Sequence, residues 1–261
     1  MSTTGRRGGN GSFGREGDNP EDTRPDAMPT SRALVVQPKK RSLLSVEQGL
    51  PPVAQRLPAG MATTEQLDAF RELRTRLLAM ADGVGLGYFS TLVVPLSPNS
   101  GASFVARNLA AAFTLQERFA VLVDCNIRHP TQHVALGARV EDGGLFDFLE
   151  QPHNNLERLV RPTGVPGLHL IPSGRPPNSP REYFSSSPMR ALMAALRQEH
   201  CYVFLDGPPI KGSPDARILS DLVDFIVLVA GYGRDTTAAI AQAAAMFDRA
   251  KFAGVVFNER G

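Results

Sequence analysis

One stretch, from Leu92 to Ala110, constrains this chain more than any other: LVVPLSPNSGASFVARNLA. Leu92, Val93 and Val94 are β-formers, and Ser97-Pro98-Asn99-Ser100-Gly101 has turn chemistry. Val105, Leu109 and Ala112 then recur at helical spacing. A strand running through a Gly-bearing loop into a helix start points successive backbone N–H groups at one spot. The helix dipole favours an anion there, the geometry of a phosphate-binding loop. The usual loop carries a Lys just before its Ser/Thr, so that an ammonium reaches the β- and γ-phosphates. Here that position is Ala102, while Gly101 and the candidate Mg²⁺ ligand Ser103 are present.

A chain of 261 residues is long enough for one sizeable α/β core with extensions. Its formal net charge of +2 gives no electrostatic case for nucleic acid as the main partner. Cys125 and Cys201 lie in strand-like apolar surroundings without metal-ligand spacing, and read as buried reduced thiols. No apolar run approaches the roughly 18 residues that span a bilayer, and the N-terminus has no signal-type apolar core. A cytoplasmic protein is expected.

Met1 to about Gly60 is rich in Gly, Arg, Pro, Ser and Thr, and its apolar clusters are too small to offset ordering entropy. A disordered arm over 1–60 is expected. Within it, Lys39-Lys40-Arg41 reads as a solvated linker or as a contact with anionic lipid. Order is expected over 61–261. Thr63-Thr64-Glu65-Gln66 has the capping-box pattern, and Leu67, Phe70, Leu73, Leu77 and Met80 give an amphipathic helix over 64–81. Its other side carries Asp68, Arg71 and Arg74, either an ordinary solvated face or a subunit contact. A helix over 103–117 precedes the apolar strand Ala120–Asp124, expected beside the phosphate-loop strand with its carboxylate at the ligand end. A turn at Gly143-Gly144 leads to a short helix, then come a strand over 168–172 and the rigid linker Pro176–Pro180. Ser187 and Pro188 suit the N-cap and first position of a helix reaching Glu199. Tyr202–Asp206 is an apolar strand closing in Asp, the Walker B pattern in which a carboxylate orients Mg²⁺. Further segments are a helix opening at Asp215, a strand over 224–230, a helix over 236–250 and a strand over 254–257 closing in Asn258. Alternating strands and helices predict an α/β fold, a doubly wound, mostly parallel sheet of the P-loop NTPase type.

From about Asp68 to Asn258 the chain resembles a bacterial tyrosine kinase (BY-kinase) domain, of the P-loop kinases of capsule and exopolysaccharide export related to the ParA and MinD ATPases. DAFRELR (Asp68–Arg74) resembles the family's E-x-x-R-x-x-R helix, which implies ring-type homo- or hetero-oligomers through Arg71 and Arg74, with Asp68 standing for Glu. SPNSGAS (Ser97–Ser103) sits where the family has a Walker A loop of the form PGEGKS. VLVDCNIRHP (Val121–Pro130) resembles the second family Walker motif with Asp124 as its first Asp. GRPPNSPREYFSS (Gly174–Ser186) resembles the PPNP-E-L-L-S segment, and VFLDGPPI (Val203–Ile210) the Walker B. The resemblance implies ATP or ADP with Mg²⁺ as cofactors, held by Asn99, Ser100, Gly101, Ala102, Ser103, Phe104 and Asn258. Ser103, Asp124 and Asp206 are the implied metal ligands, with Asp124 and Asp206 as the vestigial or weak catalytic carboxylates.

The departures are specific. Ala102 replaces the Lys, Phe104 a small Thr, Asn126 the second Asp of D-x-D, and Asn99 and Ser100 the Gly and Glu of the loop. The family's tyrosine-rich tail is not in this sequence, whose tyrosines Tyr88, Tyr183, Tyr202 and Tyr232 all fall within the predicted fold. Phosphoryl transfer depends on charge placement, so a catalytically degenerate pseudokinase is expected. It would serve as a regulator or scaffold of exopolysaccharide synthesis and export, at the inner face of the plasma membrane. Its partner would be a separate membrane-spanning polysaccharide co-polymerase or synthase component. The alternative is an active tyrosine kinase or ATPase with a substitute cation, Lys211 first, then Arg107 or Arg128. A third reading keeps nucleotide binding as a structural switch without chemistry. A DNA-partitioning role lacks a basic patch, so no nucleic-acid partner is expected.

Overall fold

The computed structural model describes residues 61–259, apart from 115–117, 128, 139, 141–142, 153–155, 176–181 and 212–213. The expectations for the 1–60 arm, for Arg128 and for the Pro176–Pro180 linker lie outside the described residues.

Seven strands form one sheet: β1 (Ser90–Pro95), β2 (Ala120–Asp124), β3 (Arg161–Pro162), β4 (Leu168–Ile171), β5 (Tyr202–Asp206), β6 (Phe225–Gly231) and β7 (Phe252–Asn258). Their order is β3-β4-β2-β5-β1-β6-β7. Every pairing is parallel except β3 with β4. The inner strands are continuous apolar runs rather than alternating ones because both faces are covered. In β5, Tyr202 and Phe204 enter one core with Leu122, Val93 and Val227. Val203 and Leu205 enter the other with Val121, Leu92 and Ile226. Helices α1 (Thr64–Gly83), α2 (Ala102–Ala112) and α3 (Gln132–Leu136) supply the first core; α4 (Leu145–Glu150), α5 (Ser187–Gln198), α6 (Asp215–Asp221) and α7 (Thr237–Ala244) supply the second. This is the expected doubly wound α/β architecture.

Local chemistry accounts for the boundaries. The Thr63 N–H donates to Gln66 Oε1 at 3.0 Å, the backbone half of a capping box at the start of α1. Phe70, Leu77 and Ala81 are its buried residues, while Leu67, Leu73 and Met80 pack at the margin of the core. The N-cap of α5 is Ser186, not Ser187: its Oγ accepts the Met189 N–H at 3.3 Å, and Pro188 falls at the second helical position. Two other helices are shorter than expected. α2 ends at Ala112, and α7 spans Thr237–Ala244, capped by Thr236 Oγ1 accepting the Ala239 N–H. Beyond it, Asp248 Oδ1 takes the Ala250 N–H at 2.9 Å, a local side-chain bond that competes with helix continuation. β7 therefore starts two residues earlier than the expected 254, at Phe252.

One placement corrects the sequence reading. β2 is not beside β1: β5 intervenes, and its apolar length lets it pair with both. Cys125 and Cys201 are free and buried, as expected, and burial pushes the Cys201 thiol up to about 12. No helix among the described residues is long and apolar enough to cross a membrane.

Leu92 is fully buried in β1, between β5 and β6. Leu92→Ala leaves a cavity there, and should lower unfolding free energy by about 2–5 kcal/mol. Urea denaturation should show a lower midpoint with an unchanged slope.

Candidate functional site: a phosphate-type loop facing two buried carboxylates

The loop from Leu96 to Gly101 leaves β1 and enters α2 with two residues in the left-handed region, Asn99 at φ 63° and Gly101 at φ 82°. Asn tolerates that region better than most residues, and Gly has no Cβ to oppose it. A Cβ at position 101 would also run into the Asn258 side-chain amide, which would have to shift to admit it. Asn258, at the end of β7, donates to the Ser100 carbonyl at 3.1 Å and so ties the loop to the last strand. The end of β6 holds the loop's other side. Arg234 donates to the Pro98 carbonyl at 2.8 Å and to the Asn99 carbonyl at 3.3 Å. Asp235 Oδ2 accepts from Ser97 Oγ at 3.1 Å and from the Gly231 N–H at 2.7 Å. Sequence reasoning missed Arg234 and Asp235; their only signal is a Gly-Arg-Asp turn just after an apolar strand.

The two carboxylates follow from strand register. β2 and β5 run parallel, with Asp124 opposite Asp206 at their shared C-terminal edge. Asp124 is 0% and Asp206 1% exposed. Asp124 Oδ1 accepts the Asn126 N–H at 3.1 Å, and its Oδ2 the Gln132 N–H at 3.4 Å. The Gln132 side chain donates to Asp206 Oδ2 at 2.7 Å and to the Ser103 carbonyl at 2.9 Å, so it bridges β5 and α2. The Ser103 side chain also hydrogen-bonds Asp206. Gln132 opens a five-residue helix and gives no sequence signal of this role. Burial and the Asp206 charge push the Asp124 carboxyl well above the usual carboxylate range. Burial raises Asp206 to about 6, opposed by the Gln132 and Ser103 hydrogen bonds and the Arg107 charge.

A cavity of about 460 Å³ opens over this edge. The expected cofactor residues Asn99, Ser100, Gly101, Ala102, Ser103, Phe104 and Asn258 all line it, with Arg107 and Asn126. Asp124 and Asp206 are buried behind that wall. Lys211 is exposed in the loop after β5 and is not in the lining. Lys251, the other lysine beyond residue 60, donates to the Ser220 and Asp221 carbonyls at the end of α6. On α1, Asp68 and Arg71 form an exposed ion pair at 2.7 Å. Arg74 is half-buried and donates to the Ala112 carbonyl at 3.2 Å, fastening α1 to α2.

The donor set suits Mg²⁺ and phosphate. Asp206 Oδ1, Asn126 Oδ1 and Ser100 Oγ are buried without a protein partner. Among the described residues no three His, Cys, Asp or Glu gather into a metal cluster. A Mg²⁺ here would rest on two carboxylates and the Ser103 hydroxyl, with water and phosphate completing its shell, as this ion prefers.

A buried carboxyl with a raised pKa binds more protons folded than unfolded. Its stabilising effect is fully present below the unfolded value, about 3.9, and is lost as pH rises through about 6. In metal-free buffer Asp206→Asn should therefore be more stable than the parent at about pH 7.5, by on the order of 2 kcal/mol. The difference should narrow as pH falls towards about 4. Thermal melts in a chelator at both pH values measure it.

No family model matches the chain. It is 31% identical over 208 residues to the tyrosine-protein kinase wzc of Salmonella typhimurium, covering 78% of this chain and 28% of that one. The chain thus spans less than a third of that relative's length. Against the tyrosine-protein kinase YwqD of Bacillus subtilis it is 30% identical over 171 residues, covering 65% of this chain and 71% of that one. Among solved structures, the BceF tyrosine kinase domain superposes with a TM-score of 0.64 at 27% identity, covering 74% of this chain and 77% of that one. The identity to YwqD over most of its length, the shared domain architecture and the phosphate-type loop together carry one conclusion: the chain belongs to the bacterial tyrosine kinase family.

Proposed function

We propose that this chain is a catalytically degenerate member of its family that binds Mg-ADP or Mg-ATP and acts by binding rather than by phosphoryl transfer. One observation carries the reading: the cavity keeps its loop geometry and oxygen donors, yet no lysine is in its lining, and position 102 is an alanine 4% exposed. The loop N–H groups and the start of α2 would hold the phosphates, and Ser103, Asp124 and Asp206 the Mg²⁺. Bound Mg²⁺ would neutralise phosphate charge. The chain's own residues do the positioning: Gln132 ties Asp206 to α2, and Asn258 and Arg234 tie the loop down. Without an ammonium at 102, charge on a transferring phosphoryl group lacks its usual stabiliser.

On this reading the chain serves exopolysaccharide or capsule synthesis and export, as its resemblance to the family implies, as a regulator or scaffold at the cytoplasmic face of the membrane. The partner on this reading is a separate membrane-spanning co-polymerase or synthase component. The exposed Asp68–Arg71 pair on α1 is the proposed contact for ring-type assembly, with Arg74 setting the pose of that helix. One observation favours a second reading, an active kinase or ATPase with a non-standard cation: the Arg107 guanidinium stands in the cavity wall.

Turnover separates the two. Calorimetry with Mg-ADP should show binding by the purified chain, while ATP hydrolysis and tyrosine phosphorylation stay at the level of an Asp206→Ala control. Turnover that this control abolishes would instead establish the second reading. Ala102→Lys should tighten Mg-ADP binding by about tenfold, the contribution of one charge-assisted hydrogen bond.

A further inference from the structure

Position 102 carries no positive charge, and a residue further along the same helix brings one to the same cavity. Arg107 lies four residues after Ser103 in α2, and that spacing puts both side chains on one face of the helix. It is half-buried, and it lines the cavity together with Ser100, Gly101, Ser103 and Asn126. Its guanidinium carbon sits 5.2 Å from the centroid of the Phe104 ring, itself in the lining. A ring face attracts a cation and so helps to fix the arm. The charge acts on the Asp206 carboxyl, the group behind the cavity wall. Phe104 and Arg107 thus work as one unit, an aromatic rest and the cation laid over it.

We propose that Arg107 is the phosphate-binding cation of this cavity, and that its ligand is the polyphosphate chain of a nucleoside di- or triphosphate. The inference rests on the nucleotide-binding reading above and names the side chain that makes it work. A guanidinium suits the role, since its planar fork meets phosphate oxygens bidentately. Entering from the helix flank rather than from the loop, it can hold the phosphates without occupying the position that a lysine at 102 would take beside the β- and γ-groups. Binding and chemistry are then separable, with the first kept by Arg107.

Calorimetry on the full chain with Mg-ADP, with inorganic triphosphate and with adenosine tests the assignment. Arg107→Gln should weaken Mg-ADP and triphosphate binding by about 10- to 100-fold, while adenosine binding is unchanged. Arg107→Lys should bind between the parent and Arg107→Gln, since it keeps the charge but loses the planar fork and the stacking on Phe104, and Ala102→Lys added to Arg107→Gln should recover much of the loss. Arg107→Met keeps the aliphatic stem against Phe104, and carries the test if the glutamine variant does not fold. Equal Mg-ADP affinity in the parent and both charge-removing variants would overturn the role of Arg107 and leave nucleotide binding standing. A parent chain that takes up neither Mg-ADP nor triphosphate would overturn both.

Discussion

A strand buried on both faces must satisfy its backbone polar groups through its neighbours, because no water reaches them. In this chain β5 is such a strand, and its parallel pairing with β1 on one side and β2 on the other fixes everything at the sheet's C-terminal edge. Register alone brings Asp206 level with Asp124 and beside the loop that leaves β1. A one-residue slip would turn the apolar side chains of β5 to the opposite cores and destroy both, so the site inherits its precision from the packing.

That origin explains why two carboxylates are tolerated side by side in the interior. Each is costly where it stands, and the protein answers with hydrogen bonds rather than a paired cation: backbone N–H groups for Asp124, the Gln132 amide and Ser103 hydroxyl for Asp206. The surplus negative charge is what makes the edge receptive to a divalent cation. Arg107 lowers the cost from the cavity side without closing the edge. On the proposed reading, that balance suits a ligand that carries both signs, a metal-bound polyphosphate.

Much of this was legible in the order of residues, and for definite reasons. Continuous apolar runs ending in Asp announce buried parallel strands, and β2 and β5 came out at their expected limits. The loop's turn chemistry, Gly101 and the missing lysine are local features, so they show in the sequence directly. Adjacency is not local. Nothing in the chain order reveals that β5 inserts between β1 and β2, and only the family resemblance, not the residue pattern, brought Asp124 and Asp206 together. Gln132, Arg234 and Asp235 were missed because their work is done through single long-range hydrogen bonds, which leave no periodicity behind. Lys211 follows Asp206 closely along the chain yet stands exposed outside the cavity lining, whereas Arg107, distant along the chain, lines it.

The fastening of the loop by the ends of β6 and β7 has a consequence for position 102. Asn258, Arg234 and Asp235 set the loop's backbone without any help from the side chain at 102. What stands at 102 packs against the core as a small buried alanine, while the loop's course is held by those other residues. On the proposed reading, shape and reaction rest on different residues of one architecture, so the first can outlast the second.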